Sequence, residues 1–289
     1  MVAPDQTRDE GPETTLRQIS LRRLKEFDIK PKRDLGQNFL IDDNILSVIL
    51  GQLECGPQDV VLEVGAGLGV LTQALASVAS WVHAFEIDRS LEGPLDVTLS
   101  DHANVNLHFQ DILKATMEDL DPTPTLCASN LPYSVAGPFL IESLRRLPGV
   151  RRYCVMVQKE VADRIAAPPG SKTFGVISVW IQLYAAIRRN RTLARSIFYP
   201  QPHVDSSLLV LDRLPAEETP DCDPVALQAV IQSAFGQRRK TLVNALSAGM
   251  GLDRAGALEL VESLGLPPDV RAERLYPQQF VELARRLNR

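Results

Sequence analysis

Apolar residues Leu16, Ile19, Leu24 and Phe27 recur at roughly helical spacing with basic residues between them, which predicts a basic amphipathic helix over Thr14–Phe27. Pro31 closes that region, KRDLGQNFLID reads as a loop, and a second short helix is expected over Asp43–Gln52, before Gly56 and Pro57. The pattern then changes to short apolar runs ending at turn residues: DVVLEV, WVHAFEID, NVNLHFQD, TLCASN and RYCVMVQ. Such runs are expected of parallel strands buried on both faces. Helical periodicity separates them, as in GVLTQALASVA, although Gly93-Pro94 is expected to interrupt one connecting helix. KEVADRIAA and FGVISVWIQLYA read as helices, and LARSIFYP and SSLLVLDRL as an antiparallel hairpin at the sheet edge. Strand alternating with helix predicts a doubly wound α/β sheet.

After Leu214 the pattern is helical only: PVALQAVIQSAF, RKTLVNALSAG, RAGALELVESLG and PQQFVELARRL. The acidic, proline-rich stretch PAEETPDCDP precedes them and reads as a linker. The expected organisation is a disordered tail over residues 1–15, an α/β domain with an N-terminal helical arm over 16–214, and a helical domain over 224–289.

Composition narrows the class. With 45% apolar and 23% charged residues the 289-residue chain is that of an ordinary soluble globular protein. It has no long apolar run and its N-terminus, MVAPDQTRDEGPETT, is polar, so neither a membrane span nor a secretory signal is expected. Cys55, Cys127, Cys154 and Cys222 are scattered, which argues for reduced thiols, a cytoplasmic location and no zinc; the four histidines are equally dispersed, so no metal is expected. A net charge of −5 looks wrong for a nucleic-acid binder. The distribution qualifies the sum, because basic residues cluster in LRRLKEFDIKPKR, IRRNRTLAR and GQRRK while acid collects in the linker.

Candidate chemistry sits at the strand ends. Gly65, Gly67 and Gly69 follow the first parallel run, and Glu86 ends the second, 21 residues after Gly65. In a doubly wound sheet that places a ligand against the glycine turn, with the acid on the hydroxyls of an adenosine ribose. A dinucleotide loop would carry G-x-G-x-x-G, but Val70 stands at the third glycine, and Glu63 directly precedes the loop. On the loop alone, S-adenosylmethionine, NAD and a purely structural turn all stay open.

Asn130-Leu131-Pro132-Tyr133 follows the fourth run and so opens into the same cleft. An exocyclic adenine amine is a weak nucleophile, its lone pair delocalised into the ring. A side-chain oxygen of Asn130 and the Leu131 carbonyl would accept both N–H groups and localise that lone pair, so catalysis needs orientation and hydrogen-bond electrostatics rather than a strong base. Pro132 fixes the turn, and Tyr133 offers a flat face to a base drawn out of its helix.

Taken together, LGQNFLID, VLEVGAGLGVLT, FEID, QDIL, SNLPY, VQKEVADRI, FYPQPHVDSSL and FGQRRKTLVNAL resemble, in order, the segments of the ribosomal RNA adenine N6-dimethyltransferase family. The likeness is greatest to its bacterial branch acting on small-subunit RNA, and runs from about Phe27 to the C-terminus. It implies a class I, Rossmann-like S-adenosylmethionine methyltransferase fold, with a doubly wound seven-stranded sheet and a small all-α C-terminal domain. Asn38 and Leu40 would close over the cofactor, Gly65 and Gly67 would cradle its methionine end, Glu86 with Ile87 would take the ribose, and Asp111 with Ile112 would flank the adenine. Asn130 and the Leu131 carbonyl, held in place by Pro132, would hold the target amine, with Tyr133 and Phe198 stacking on the target base. Two departures from the family pattern, SVAGP after the NLPY stretch and Phe174 where tyrosine is usual, affect fine substrate contacts only.

The family likeness gives the basic clusters a partner. Arg22, Arg23, Lys32, Arg33, Arg188, Arg189, Arg238, Arg239 and Lys240 are the expected phosphate contacts. The implied reaction dimethylates N6 of two adjacent adenosines in a hairpin loop near the 3′ end of small-subunit (16S-type) RNA, by a monomeric enzyme whose partners are that RNA and the assembling small subunit. The alternatives are a large-subunit (23S-type) adenine methyltransferase of the macrolide-resistance kind, and a non-catalytic assembly or transcription factor on the same fold.

Overall fold

The computed structural model describes residues 15–237 and 239–287; most of the expected tail, together with Arg238, lies outside the described residues. In chain order, α1 (Leu16–Glu26) leads through an arm to the short strand β1 (Phe39–Leu40), then α2 (Asp43–Leu53), β2 (Val60–Val64), α3 (Val70–Ala76), β3 (Trp81–Glu86), α4 (Glu92–Leu99) and β4 (Val105–Phe109). The chain continues through β5 (Leu126–Asn130), α5 (Ala136–Arg146), β6 (Arg152–Gln158), α6 (Lys159–Ile165), α7 (Val176–Gln182), β7 (Ala185–Leu193), β8 (Phe198–Tyr199) and β9 (Ser206–Arg213). Four helices finish it: α8 (Pro224–Gly236), α9 (Leu242–Met250), α10 (Arg254–Glu262) and α11 (Pro277–Leu287).

Seven strands form one sheet in the order β4-β3-β2-β5-β6-β9-β7. The strands from β4 to β6 are parallel, and β9 runs antiparallel to both its neighbours. The chain steps outward from β2 to β4 and then returns to β5 beside β2, so the crevice of the doubly wound fold opens between the carboxyl ends of β2 and β5. Every residue of β2 is buried, Glu63 included, which explains why four of its five residues are apolar. One face of the sheet packs on α2, α3 and α4, the other on α5 and α6.

Three local expectations are corrected. The edge hairpin is made by β7 and β9; of LARSIFYP only its first residue, Leu193, belongs to β7, and the rest supplies β8, which pairs antiparallel with β1 in a separate ribbon. Strand β7, AAIRRNRTL, lacks an apolar period because most of it is exposed, and its arginines suit an edge that must not recruit another strand. The helix expected through Ala185 accordingly stops at Gln182. Gly93-Pro94 does not interrupt a helix: it lies in the first turn of α4, where an amide has no intrahelical partner to lose.

The C-terminal helices do not have a core of their own. Phe174, Val179, Trp180 and Leu183, from before the linker, pack in one apolar cluster with Leu227, Ile231, Leu246 and Phe280. Helix α7 serves two cores, since its Ile181 joins the α/β side while Val179 and Trp180 face the helices. From α5, Arg145 lies over the Trp180 ring at 5.1 Å. Among the described residues, no helix is long and apolar enough to cross a membrane.

Candidate active site

Backbone shape builds the floor of the crevice. Gly65, at the end of β2, has φ +82°, and a Cβ there would stand 3.3 Å from the Asn130 carbonyl oxygen and from Pro132 Cδ. Gly67 has φ +60°, and a Cβ there would press on the Phe39 ring at 3.2 Å. Only glycine meets both demands, left-handed backbone and close approach of a neighbour. Around this turn one cleft is lined by the arm residues Asn38 and Leu40, by Gly65 and Gly67, by Glu86 and Ile87, by Asp111 and Ile112, by Asn130 through Tyr133, and by Phe198. The structure thus gathers every expected cofactor and catalytic residue on one cavity.

The acids in it are held very differently. Glu86 Oε1 accepts the amides of Ile87 and Asp88, and Oε2 accepts that of Gly67, all at 2.9 Å. Burial raises its pKa while these three amides oppose the rise. A carboxylate offers about four acceptor positions, so one remains open, on Oε2. Glu63 is buried and its carboxyl is pushed up to about 8, by burial first, with the Thr72 hydroxyl opposing and Glu86 adding to the rise. Its Oε2 has no hydrogen-bond partner although it lines the cleft wall. Asp111 caps a short turn through Leu113 N at 3.0 Å, which ties down its Oδ1.

Asn130 is oriented by the arm. Its Nδ2 donates to the Asn38 carbonyl at 2.8 Å, so its Oδ1 is the end left to accept. The next amide, Leu131 N, donates to Met156 O at 3.1 Å, which fixes the peptide plane at the end of β5. Pro132 O accepts from Val135 N and Ala136 N, anchoring the turn to the start of α5. Tyr133 is half-buried, with its hydroxyl 3.4 Å from Ser206 Oγ, and burial raises its pKa. Phe198 lines the cleft as a buried wall, with Leu40 opposite it in the β1–β8 ribbon.

The expected phosphate contacts separate into two groups. Lys32 is ion-paired to Asp88 at 2.6 Å, and Arg188 lies between Glu54 and Asp212 at 2.9 and 3.5 Å. Arg22, Arg33, Arg189, Arg239 and Lys240 are exposed, and Arg23 is partly so. Leu242 N donates to Val270 O at 2.7 Å, which pins the start of α9 to the segment that carries exposed Arg271.

S-adenosylmethionine fits this cleft on three observations: a glycine cradle that any Cβ would fill, an orphaned Glu63 oxygen in the wall, and one open acceptor position on Glu86. A seven-stranded sheet of this order, with its cleft at the β2/β5 switch point, is the framework of a class I, S-adenosylmethionine-dependent methyltransferase. Within that class the chain belongs to the ribosomal RNA adenine dimethylase family, whose profile matches residues 29–289. A protein of Corynebacterium diphtheriae named ribosomal RNA small subunit methyltransferase A is 40% identical over 287 residues, 96% of this chain and 97% of the relative. The protein of that name from Rhodococcus opacus is 41% identical, over 90% of each chain. Among solved structures, a dimethyladenosine transferase from Plasmodium falciparum superposes with a TM-score of 0.75 at 22% identity, over 86% of this chain and 97% of that one. The 23S rRNA methyltransferase ErmE superposes at 0.63 and 24% identity, over 87% of this chain and all of that one, which likewise speaks to the fold alone.

Proposed function

We propose that this chain dimethylates N6 of two adjacent adenosines in the hairpin loop near the 3′ end of small-subunit ribosomal RNA. The observation that carries the reading is the tie between Asn130 Nδ2 and the Asn38 carbonyl, which leaves Asn130 Oδ1 as an acceptor at the mouth of a cofactor cleft. The relatives named for the small subunit support the choice of RNA.

S-adenosylmethionine, when bound, supplies a methyl carbon activated by its sulfonium; Gly65, Gly67, Glu86, Ile87, Asp111 and Ile112 are the residues that would hold it. Asn130 Oδ1 and the Leu131 carbonyl each accept one N–H of the adenine amine, drawing the lone pair out of conjugation. Both dipoles also stabilise the positive charge that grows on nitrogen, so no side chain has to remove a proton beforehand. After transfer, with S-adenosylhomocysteine as the leaving group, the methylated nitrogen, now cationic and acidic, gives one proton to water; a single N–H remains and one acceptor suffices to hold the amine for the second methyl. Tyr133 and Phe198, both on the cleft wall, would bound the base, and Pro132 keeps the turn from relaxing. Arg22, Arg23, Arg33, Arg189, Arg239 and Lys240 would meet phosphates; Lys32 and Arg188 already have carboxylate partners.

The test is to incubate the protein with labelled cofactor and unmethylated small and large ribosomal subunits. Label is expected in the small subunit, as N6,N6-dimethyladenosine at neighbouring positions. Label confined to the large subunit would overturn the substrate assignment.

A further inference from the structure

The arm carrying Asn38 is held down at a point outside the cleft itself. Asp88, two residues beyond Glu86 and 4% exposed, accepts Lys32 Nζ on Oδ1 at 2.6 Å and Gln37 Nε2 on Oδ2 at 2.7 Å. Gln37 Oε1 in turn accepts the Lys32 amide at 2.8 Å, which closes a ring of contacts at the base of the arm. On its other side, the Asp88 amide donates to Glu86 Oε1 at 2.9 Å. The arm supplies one whole wall of the cleft, from Leu35 to Leu40. Asp88 therefore joins the two things that must act together around a cofactor, the ribose acid and the wall that covers it.

We propose that Asp88 is a positioning residue, a latch that holds the arm closed over the bound cofactor and couples its closure to Glu86. The proposal rests on the reading of the cleft as the S-adenosylmethionine site, and not on which adenosine is methylated. Physically, a cofactor seated against Glu86 stiffens the amide of Asp88, and Asp88 stiffens Lys32 and Gln37. Release of the cofactor then requires the arm to swing out, which breaks two charge-assisted hydrogen bonds. Although burial opposes it, hydrogen bonds from Lys32, Ser90 and Gln37 keep the Asp88 carboxyl down at about 2, so the latch is charged throughout the neutral range. The same swing would carry Asn38 away from Asn130, so an open arm also frees the catalytic amide from its orienting contact.

The experiment measures release of the product analogue S-adenosylhomocysteine by stopped-flow displacement from the full-length protein, without RNA. Asp88→Asn and Lys32→Met should each speed release by about tenfold, the loss of a charge-assisted hydrogen bond. The double variant should release no faster than the quicker single variant, because both cut one link. Tryptic cleavage after Arg33, slowed by the analogue in the wild type, should lose that protection in both variants. Lys32 is half exposed and lines no part of the cleft, so Lys32→Met keeps the test alive if Asp88→Asn does not fold. Wild-type release from both variants, or effects that simply multiply in the double variant, would overturn the latch. Since no RNA is present, failure here leaves the adenosine assignment standing, and failure of that assignment leaves the latch standing.

Discussion

Asn130 and Asn38, 92 residues apart in the chain, meet at 2.8 Å, side-chain amide nitrogen to main-chain carbonyl. The contact leaves Asn130 Oδ1 as the free end of the amide, and it ties the arm to the strand end at the cleft.

Asn130→Ala removes the acceptor proposed to hold the target amine and also releases the Asn38 carbonyl. Single-turnover methyl transfer to small subunits should slow by about a hundredfold or more, as with loss of one preorganised hydrogen bond in a transition state. Cofactor affinity, read by calorimetry, should fall far less. A near-normal rate would remove the Asn-Leu-Pro-Tyr turn from the chemistry.

Glu63 gives the protein a pH signature. In the unfolded chain its carboxyl ionises near 4.5, and in the fold near 8. Between those values the folded chain keeps a proton that the unfolded chain has lost, so this group's contribution falls as pH rises from about 4.5 to about 8 and is level above that. Glu63→Gln cannot ionise, so its stability relative to wild type should grow across the same window. Denaturant melts of both proteins along a pH series check this; a difference that stays constant with pH would show that Glu63 is charged in the fold.

Arg239 and Lys240 stand exposed just before α9, where positive charge opposes the helix dipole, and Arg238 adjoins them in the sequence. Changing all three to alanine should leave cofactor binding intact and weaken binding to the small subunit. The slope of log affinity against log salt should shrink by up to about three, near one per phosphate contact. Unchanged slope and affinity would reduce these residues to solvated surface.

Trp180 ties the helical region to the α/β core. Trp180→Ala should cost about 3–5 kcal/mol, as for other large buried aromatic truncations. The fluorescence of Trp81 in β3 then reports the sheet alone, while circular dichroism is weighted to helices. Both transitions should move together to lower denaturant. If the Trp81 transition stays put while helices melt early, the two regions fold independently.

Much of this architecture is legible one segment at a time. Buried parallel strands such as VVLEV announce themselves because both faces are covered, leaving a run that is apolar but for Glu63. Gly65, Glu86 and Asn130 then fall at strand ends by counting alone, and a doubly wound sheet brings its strand ends to one crevice. The tertiary structure alone decided the rest. An exposed edge strand such as β7 is held by backbone pairing to β9, so its side chains carry no period to read. Strand β8 exists only because β1 lies beside it, and α7 belongs to two cores because helices from beyond the linker cover its second face. Asp88 with Lys32, and Asn130 with Asn38, are pairings across 56 and 92 residues, and polar side chains of that kind select whichever partner the folded chain carries within hydrogen-bonding reach.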